Sequence, residues 1–162
     1  MNRKLVACFS ASGITAGVAR KLSSAIGADY FEIQPQIPYS KADLNWMNPF
    51  SRSTREMKDP SSRPVIANRV EKMEAYETVY LGFPIWWFVA PAIIRTFLES
   101  YDFSGKTIVL FATSGGSGMG KTAEKLRKLC PQSRLSEGKV FRYEVSEEEL
   151  LSWEVSLWQK NP

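Results

Sequence analysis

Histidine is absent from the 162 residues. This removes both the commonest metal ligand and the commonest general base near neutral pH. Any chemistry the chain performs is therefore expected to come from a bound group, with no catalytic acid–base side chain and no metal site. Cysteine is scarce as well: Cys8 falls in a short apolar run and Cys130 at the end of a helical pattern, without metal-type spacing. Both read as free thiols of a reducing cytoplasm. Acidic residues are outnumbered 17 to 21, for a formal charge of +4. That excess is modest, and the basic patch at Arg52 and Arg55 has no supporting signature of a nucleic-acid binder, so none is expected as a partner. Long hydrophobic runs are missing too. The uncharged stretch from Thr78 to Ile94 contains Gly82, Pro84 and Pro91 and falls short of a membrane span. The basic start at Arg3 and Lys4 leads into an apolar run that Ser10 interrupts, which argues against an export signal.

Aromatic residues, by contrast, are plentiful: nine Phe, six Tyr and five Trp. Those not needed in a core commonly line an interface or the pocket of a flat ligand. The length suits one domain spanning residues 1–162.

Three segments share one design, a short apolar strand emptying into a loop. Leu5–Phe9 runs into Ser10-Ala11-Ser12-Gly13-Ile14-Thr15, Val79–Gly82 into Phe83-Pro84-Ile85-Trp86-Trp87, and Ile108–Phe111 into Thr113-Ser114-Gly115-Gly116-Ser117-Gly118. In an open parallel sheet such loops gather at the carboxyl edge. Between them lie helical patterns. Ile14, Val18, Leu22, Ala25 and Ile26 precede Gly27; Ile93, Ile94, Phe97, Leu98 and Tyr101 follow Pro91; Met119, Ala123, Leu126 and Leu129 precede Pro131. A second strand is expected at Tyr30–Ile33, a short helix between Val70 and Tyr76, and a last strand around Val140, Phe141 and Tyr143. Ser146 and Glu149 form a capping box for a final helix that turns Leu150, Trp153, Leu157 and Trp158 inward. Strands alternating with helices give an α/β class with a right-handed βαβ start. From Gln34 to Asn68 five prolines break all periodicity, and so long a loop is commonly functional. Within it, Asp43–Met47 is expected to form one helical turn with Trp46 inward, and the arginines after Ser51 to be solvated.

Ser10, Ser12, Gly13, Ile14 and Thr15 offer hydroxyls and a glycine at a helix entrance, where unpaired N–H groups and partial positive charge can hold a phosphate dianion. The alternative is a simple helix cap. Adjacent Trp86 and Trp87 cannot both point the same way into a packed interior, so at least one is expected to wall a crevice. Gly115–Thr122 satisfies the written form of a Walker A loop. A nucleotide hydrolase also needs a strand that delivers an acidic residue to magnesium, and no apolar run ends so.

Taken together, these loops resemble the flavodoxin-like superfamily, and within it a branch with a Pro-Ile-Trp-Trp ring loop. The resemblance implies a three-layer α/β/α sandwich with a five-stranded parallel sheet of order 2-1-3-4-5 and FMN at the switch between strands one and three. Ser10, Ser12, Gly13, Ile14 and Thr15 would hold the phosphate. Pro84, Ile85, Trp86 and Trp87 on one side, and Thr113, Ser114, Gly115 and Gly116 on the other, would contact the ring. The implied function is electron carriage through the flavin, to a redox partner protein or a small-molecule acceptor. The alternative is an FMN reductase that takes hydride from NAD(P)H and passes electrons to a quinone or similar acceptor. Familiar flavodoxins are strongly acidic, and the +4 balance here departs from that pattern.

Overall fold

Runs that are apolar at every position are read by a parallel sheet as two faces, because successive side chains point to opposite sides. A computed structural model, which describes residues 3–86, 88–142 and 144–159, shows this division. Strands β1 (Arg3–Cys8), β2 (Asp29–Glu32), β3 (Tyr76–Pro84), β4 (Thr107–Thr113) and β5 (Arg134–Phe141) pair in parallel in the order β2-β1-β3-β4-β5. Leu5, Ala7, Val79, Leu81, Ile108 and Leu110 face one core with Ile93, Phe97 and Leu126 of helices α3 (Ala92–Glu99) and α4 (Thr122–Arg127). Val6, Cys8, Tyr80, Val109 and Phe111 face the other with Val18 and Leu22 of helix α1 (Ile14–Ile26) and Leu150 and Trp153 of helix α5 (Glu147–Gln159). The result is a three-layer sandwich with the expected strand order.

Departures occur where tertiary contacts override local pattern. The segment before β3 is only a 3-10 turn at Met73–Ala75. Pro91 stands at the N-cap of α3, ahead of its first turn. Ile14 is exposed at the start of α1, and Trp158 is 40% exposed on α5, although its indole N–H donates to Glu154. The last strand is longer than the sequence suggests and carries a register shift opposite Val109–Phe111. Gly138 sits there with φ 72°, and a Cβ would fall on the carbonyl of Leu110. The glycine that obscures this strand in the sequence is what lets it pair through a bulge. Tyr143, named as part of that strand, lies outside the described residues.

The Gln34–Asn68 excursion is clamped at its base. Gln36 N–H donates to Val65 O (2.8 Å), Ala67 N–H to Gln34 O (2.7 Å), and the Asn68 side-chain amide to Glu32 O (2.8 Å). Inside it, residues 41–47 form hydrogen-bonded turns, one of them α-type from Leu44 N–H to Ser40 O (3.2 Å), but no regular helix, and Trp46 is 66% exposed, against the expectation that it tucks inward. The helix forms further on, as α2 (Arg52–Lys58), where the Ser51 side chain accepts from the Thr54 amide and Arg52 pairs with Glu56 one turn later. Arg52 is not solvated. Its guanidinium lies 3.7 Å from the Tyr39 ring centroid and donates to the carbonyl of Ile37 (2.7 Å).

Candidate functional site at the carboxyl edge of the sheet

The three strand-terminal loops meet. Thr15 and Thr113, both buried, share a hydrogen bond between their hydroxyls at 2.7 Å, which ties the first loop to the third. Ile85 N–H donates to Thr113 O (3.0 Å), tying the second loop to the third, and Trp86 packs edge-on against Phe9 at the end of β1, 5.8 Å between centroids. Parallel strands make this convergence, because every β-to-α connection leaves the sheet at the same edge.

The first loop ends on Gly13, the N-cap of α1, at φ 92°, a conformation glycine adopts without strain. Its amide donates to Ser10 Oγ (3.0 Å). No side chain caps the helix, and its first turn carries no acidic residue. The amides that open an α-helix have no carbonyl four residues back, so this end is a bare cluster of donors beside the exposed Ser12. Ser10 caps the Gly13 amide alone, and the amides of the first turn take no side-chain partner.

Pro84, Ile85 and Trp86 of the second loop are half-buried, and Ile85 and Trp86 line a cavity of about 350 Å3. Trp87 lies outside the described residues, so the tandem indoles are represented by Trp86 alone. The Trp86 amide exchanges bonds with Val89, closing a tight turn with Phe88 in left-handed conformation. In the third loop, Ser114 Oγ accepts from the amides of Gly116 (3.2 Å) and Ser117 (2.8 Å), and the Ser114 amide donates to Phe141 O. Gly115 is exposed between them, and its amide takes no part in these bonds. Lys121 of the Walker-like string is exposed, and the Thr122 hydroxyl donates to Phe88 O (3.3 Å). The string thus serves as a loop and helix start next to the second loop.

The cavity's other wall comes from the Gln34–Asn68 loop, which sequence reasoning marked as a cover for the flavin or its entrance without naming the residues that do it. Leu44, Trp46, Ser53, Thr54 and Met57, all from the long excursion, line it together with Ser117. The available signal was Ser51 followed by the Arg52–Glu56 pair, a capped helical turn hidden among prolines. Tyr39 joins this wall to the indole, its ring edge-on to Trp86 (5.6 Å) and to Phe9 (5.6 Å). Burial raises the Tyr39 hydroxyl's pKa, and Glu56, which accepts its hydrogen bond, raises it further, so the group stays a neutral donor.

The Cys8 thiol at the end of β1 is not an activated nucleophile. Burial pushes the Cys8 thiol up to about 12, and its sulfur lies 3.5 Å from the Tyr30 hydroxyl. A larger cavity of about 610 Å3, lined by residues such as Lys72 and Lys106 that precede β3 and β4, opens at the opposite edge of the sheet, away from all three loops. Among the described residues no cluster of His, Cys, Asp or Glu could hold a metal ion, and no helix is long and apolar enough to cross a membrane.

A family model described as flavodoxin matches residues 3–157. Among solved structures, a provisionally named flavoprotein from Bacteroides eggerthii is 42% identical, with 98% of this chain and 99% of that one covered and a TM-score of 0.90. Another from Bacteroides uniformis is 41% identical over 95% of this chain and 98% of that one, also at 0.90. A flavoprotein from Lactobacillus acidophilus, solved in complex with FMN, shares the fold at 18% identity, TM-score 0.67, over 95% and 99% of the two chains. No curated protein matches the chain.

Proposed function

The chain belongs to the flavodoxin family, whose cofactor is FMN, and on that premise we propose that it carries electrons in the cytoplasm through an FMN held where the three loops meet. The single observation that carries the reading is the Thr15–Thr113 hydroxyl bond, because it fixes an uncapped helix terminus beside a walled aromatic cleft. The residues present fit the cofactor. Ser10, Ser12, Gly13, Ile14 and Thr15 supply hydroxyl and amide donors to a phosphate without any cationic side chain. Ile85 and Trp86 wall the ring, Pro84 and Thr113 fix their loops, and Gly115, between Ser114 and Gly116, keeps an amide for the ring's polar edge. When bound, the flavin supplies reversible uptake of one or two electrons. The chain's own part is to bind, orient and shield it. Two buried free thiols suit a reducing compartment.

Carriage to a partner protein is favoured by an apolar rim on the long excursion, where Trp46, Met47 and Phe50 are 66, 76 and 80% exposed. The reductase reading is favoured by the wall itself, since Leu44, Trp46 and Met57 enclose space that a small acceptor could enter. Purified protein mixed with FMN and desalted should retain flavin absorbance in about equimolar amount; a colourless protein would refute the assignment. Slow anaerobic bleaching by NADH and NADPH, with fast reduction by a reductase protein, is expected of the carrier. Rapid bleaching by either nucleotide would overturn carriage in favour of the reductase.

A further inference from the structure

A third cavity, of about 380 Å3, adjoins the ring cleft and is lined by none of the residues assigned to the flavin. Met57 lines both. Its floor is apolar, made by Val89, Ala90, Leu126 and Leu129. Its charged lining residues are all cations, Arg63, Arg95, Lys125 and Lys128, and no carboxylate lines it among the described residues. Arg63 is paired with Glu99 at the rim. Arg95 is held by its Nη2, which donates to the carbonyls of Asp59 (3.1 Å) and Ser62 (3.3 Å), while its Nε is buried without a partner. Burial lowers the Arg95 pKa and the neighbouring Arg63 lowers it further, against the opposing pull of Asp59, Glu56 and Glu99. Lys125 and Lys128 enter no ion pair among the described residues.

Like charges gathered around a hollow repel one another and are relieved when an anion joins them. A basic surface that merely keeps a protein soluble has no need of an apolar floor. We propose that this cavity binds a small organic anion, one carboxylate or phosphate head on an apolar body, with the body on the Leu126–Leu129 floor and the head among Arg95, Lys125 and Lys128. The site stands apart from the flavin assignment and borrows from it only the identity of its neighbour.

The test is calorimetric titration of the FMN-loaded protein with 2-naphthoate and with 2-naphthylmethanol, a neutral molecule of similar shape. The acid should bind at least about tenfold more tightly than the alcohol, and the double substitution of the exposed Lys125→Gln and Lys128→Gln should bring the two close to parity. Flavin content after desalting should be the same in both proteins, so a fault in the flavin assignment would show separately. Equal affinities for acid and alcohol in the unaltered protein would overturn the proposal. So would a preference that survives the double substitution, or release of FMN as naphthoate is added.

Discussion

At Ser12, two electrostatic effects of opposite sign can be separated by one substitution. A carboxylate at the uncapped mouth of α1 favours the helix, because the terminus carries partial positive charge and its first turn has no acid. The same carboxylate repels a phosphate that needs those donors. Ser12→Asp should therefore stabilise the flavin-free protein by about 0.3–1 kcal/mol, read as a small rise in melting temperature. It should also weaken FMN binding by at least about tenfold. Unchanged FMN affinity would mean that the phosphate lies elsewhere. Thr15 makes a poorer probe, since a charge at that buried position would also break the bond to Thr113. At Trp86 the expectation is structural as well as functional. Trp86→Ala removes edge contacts to Phe9 and Tyr39 and should cost about 2 kcal/mol, less than a full core deletion because the indole is half-buried. Urea unfolding of the flavin-free variant measures this, and its FMN affinity should fall with it.

Two elements depend on single features that the rest of the fold does not duplicate. Strand β5 reaches its register only through Gly138, so Gly138→Ala, which combines positive φ with a collision at Leu110, should destabilise by about 2–4 kcal/mol in thermal unfolding. Helix α5 is pinned by the buried Glu154 carboxylate, which accepts from Lys4 of β1 (2.7 Å), Tyr80 of β3 (2.9 Å) and Trp158 (2.8 Å). Burial alone would raise its pKa, but these three donors outweigh it, and the folded value lies below the ordinary one. The carboxylate therefore stabilises the native state above the unfolded glutamate value of about 4.3, and the contribution is lost as pH falls through the lower folded value. Glu154→Gln should cost about 1–3 kcal/mol at neutral pH. That cost should shrink toward zero as acid protonates the native protein, and an undiminished cost in acid would refute the role. Legibility follows the same logic of local against tertiary causes. Strands β1, β3 and β4 are buried on both faces and announce themselves as unbroken apolar runs, and the loops that follow them could be placed at one edge from that alone. Helix α2 is short and held by Arg52 against Tyr39 and Ile37, partners 13 and 15 positions away in sequence, so no local period revealed it. Trp46 illustrates the converse, an apolar residue that lines a cleft while most of its surface faces solvent.

Over the whole molecule, the charge of +4 exceeds the two negative charges at most that an FMN phosphate brings, so the loaded protein stays cationic. Electron exchange with anionic partners should therefore be steered and salt-sensitive. Oxidation of the reduced protein by ferricyanide should slow as salt is raised, while oxidation by hexaammineruthenium, a cation, should not. The opposite pattern in stopped-flow traces would place a local negative field at the electron's exit. Beneath all of this lies the claim that uncharged donors at the start of α1 grip a phosphate while the flanking loops take the ring. Equilibrium titration of the flavin-free protein with FMN and with riboflavin, which lacks only the phosphate, tests it most directly. FMN should bind at least about a hundredfold more tightly than riboflavin, and Ser12→Asp should remove most of that margin; equal binding of the two flavins, or binding of neither, would contradict the account.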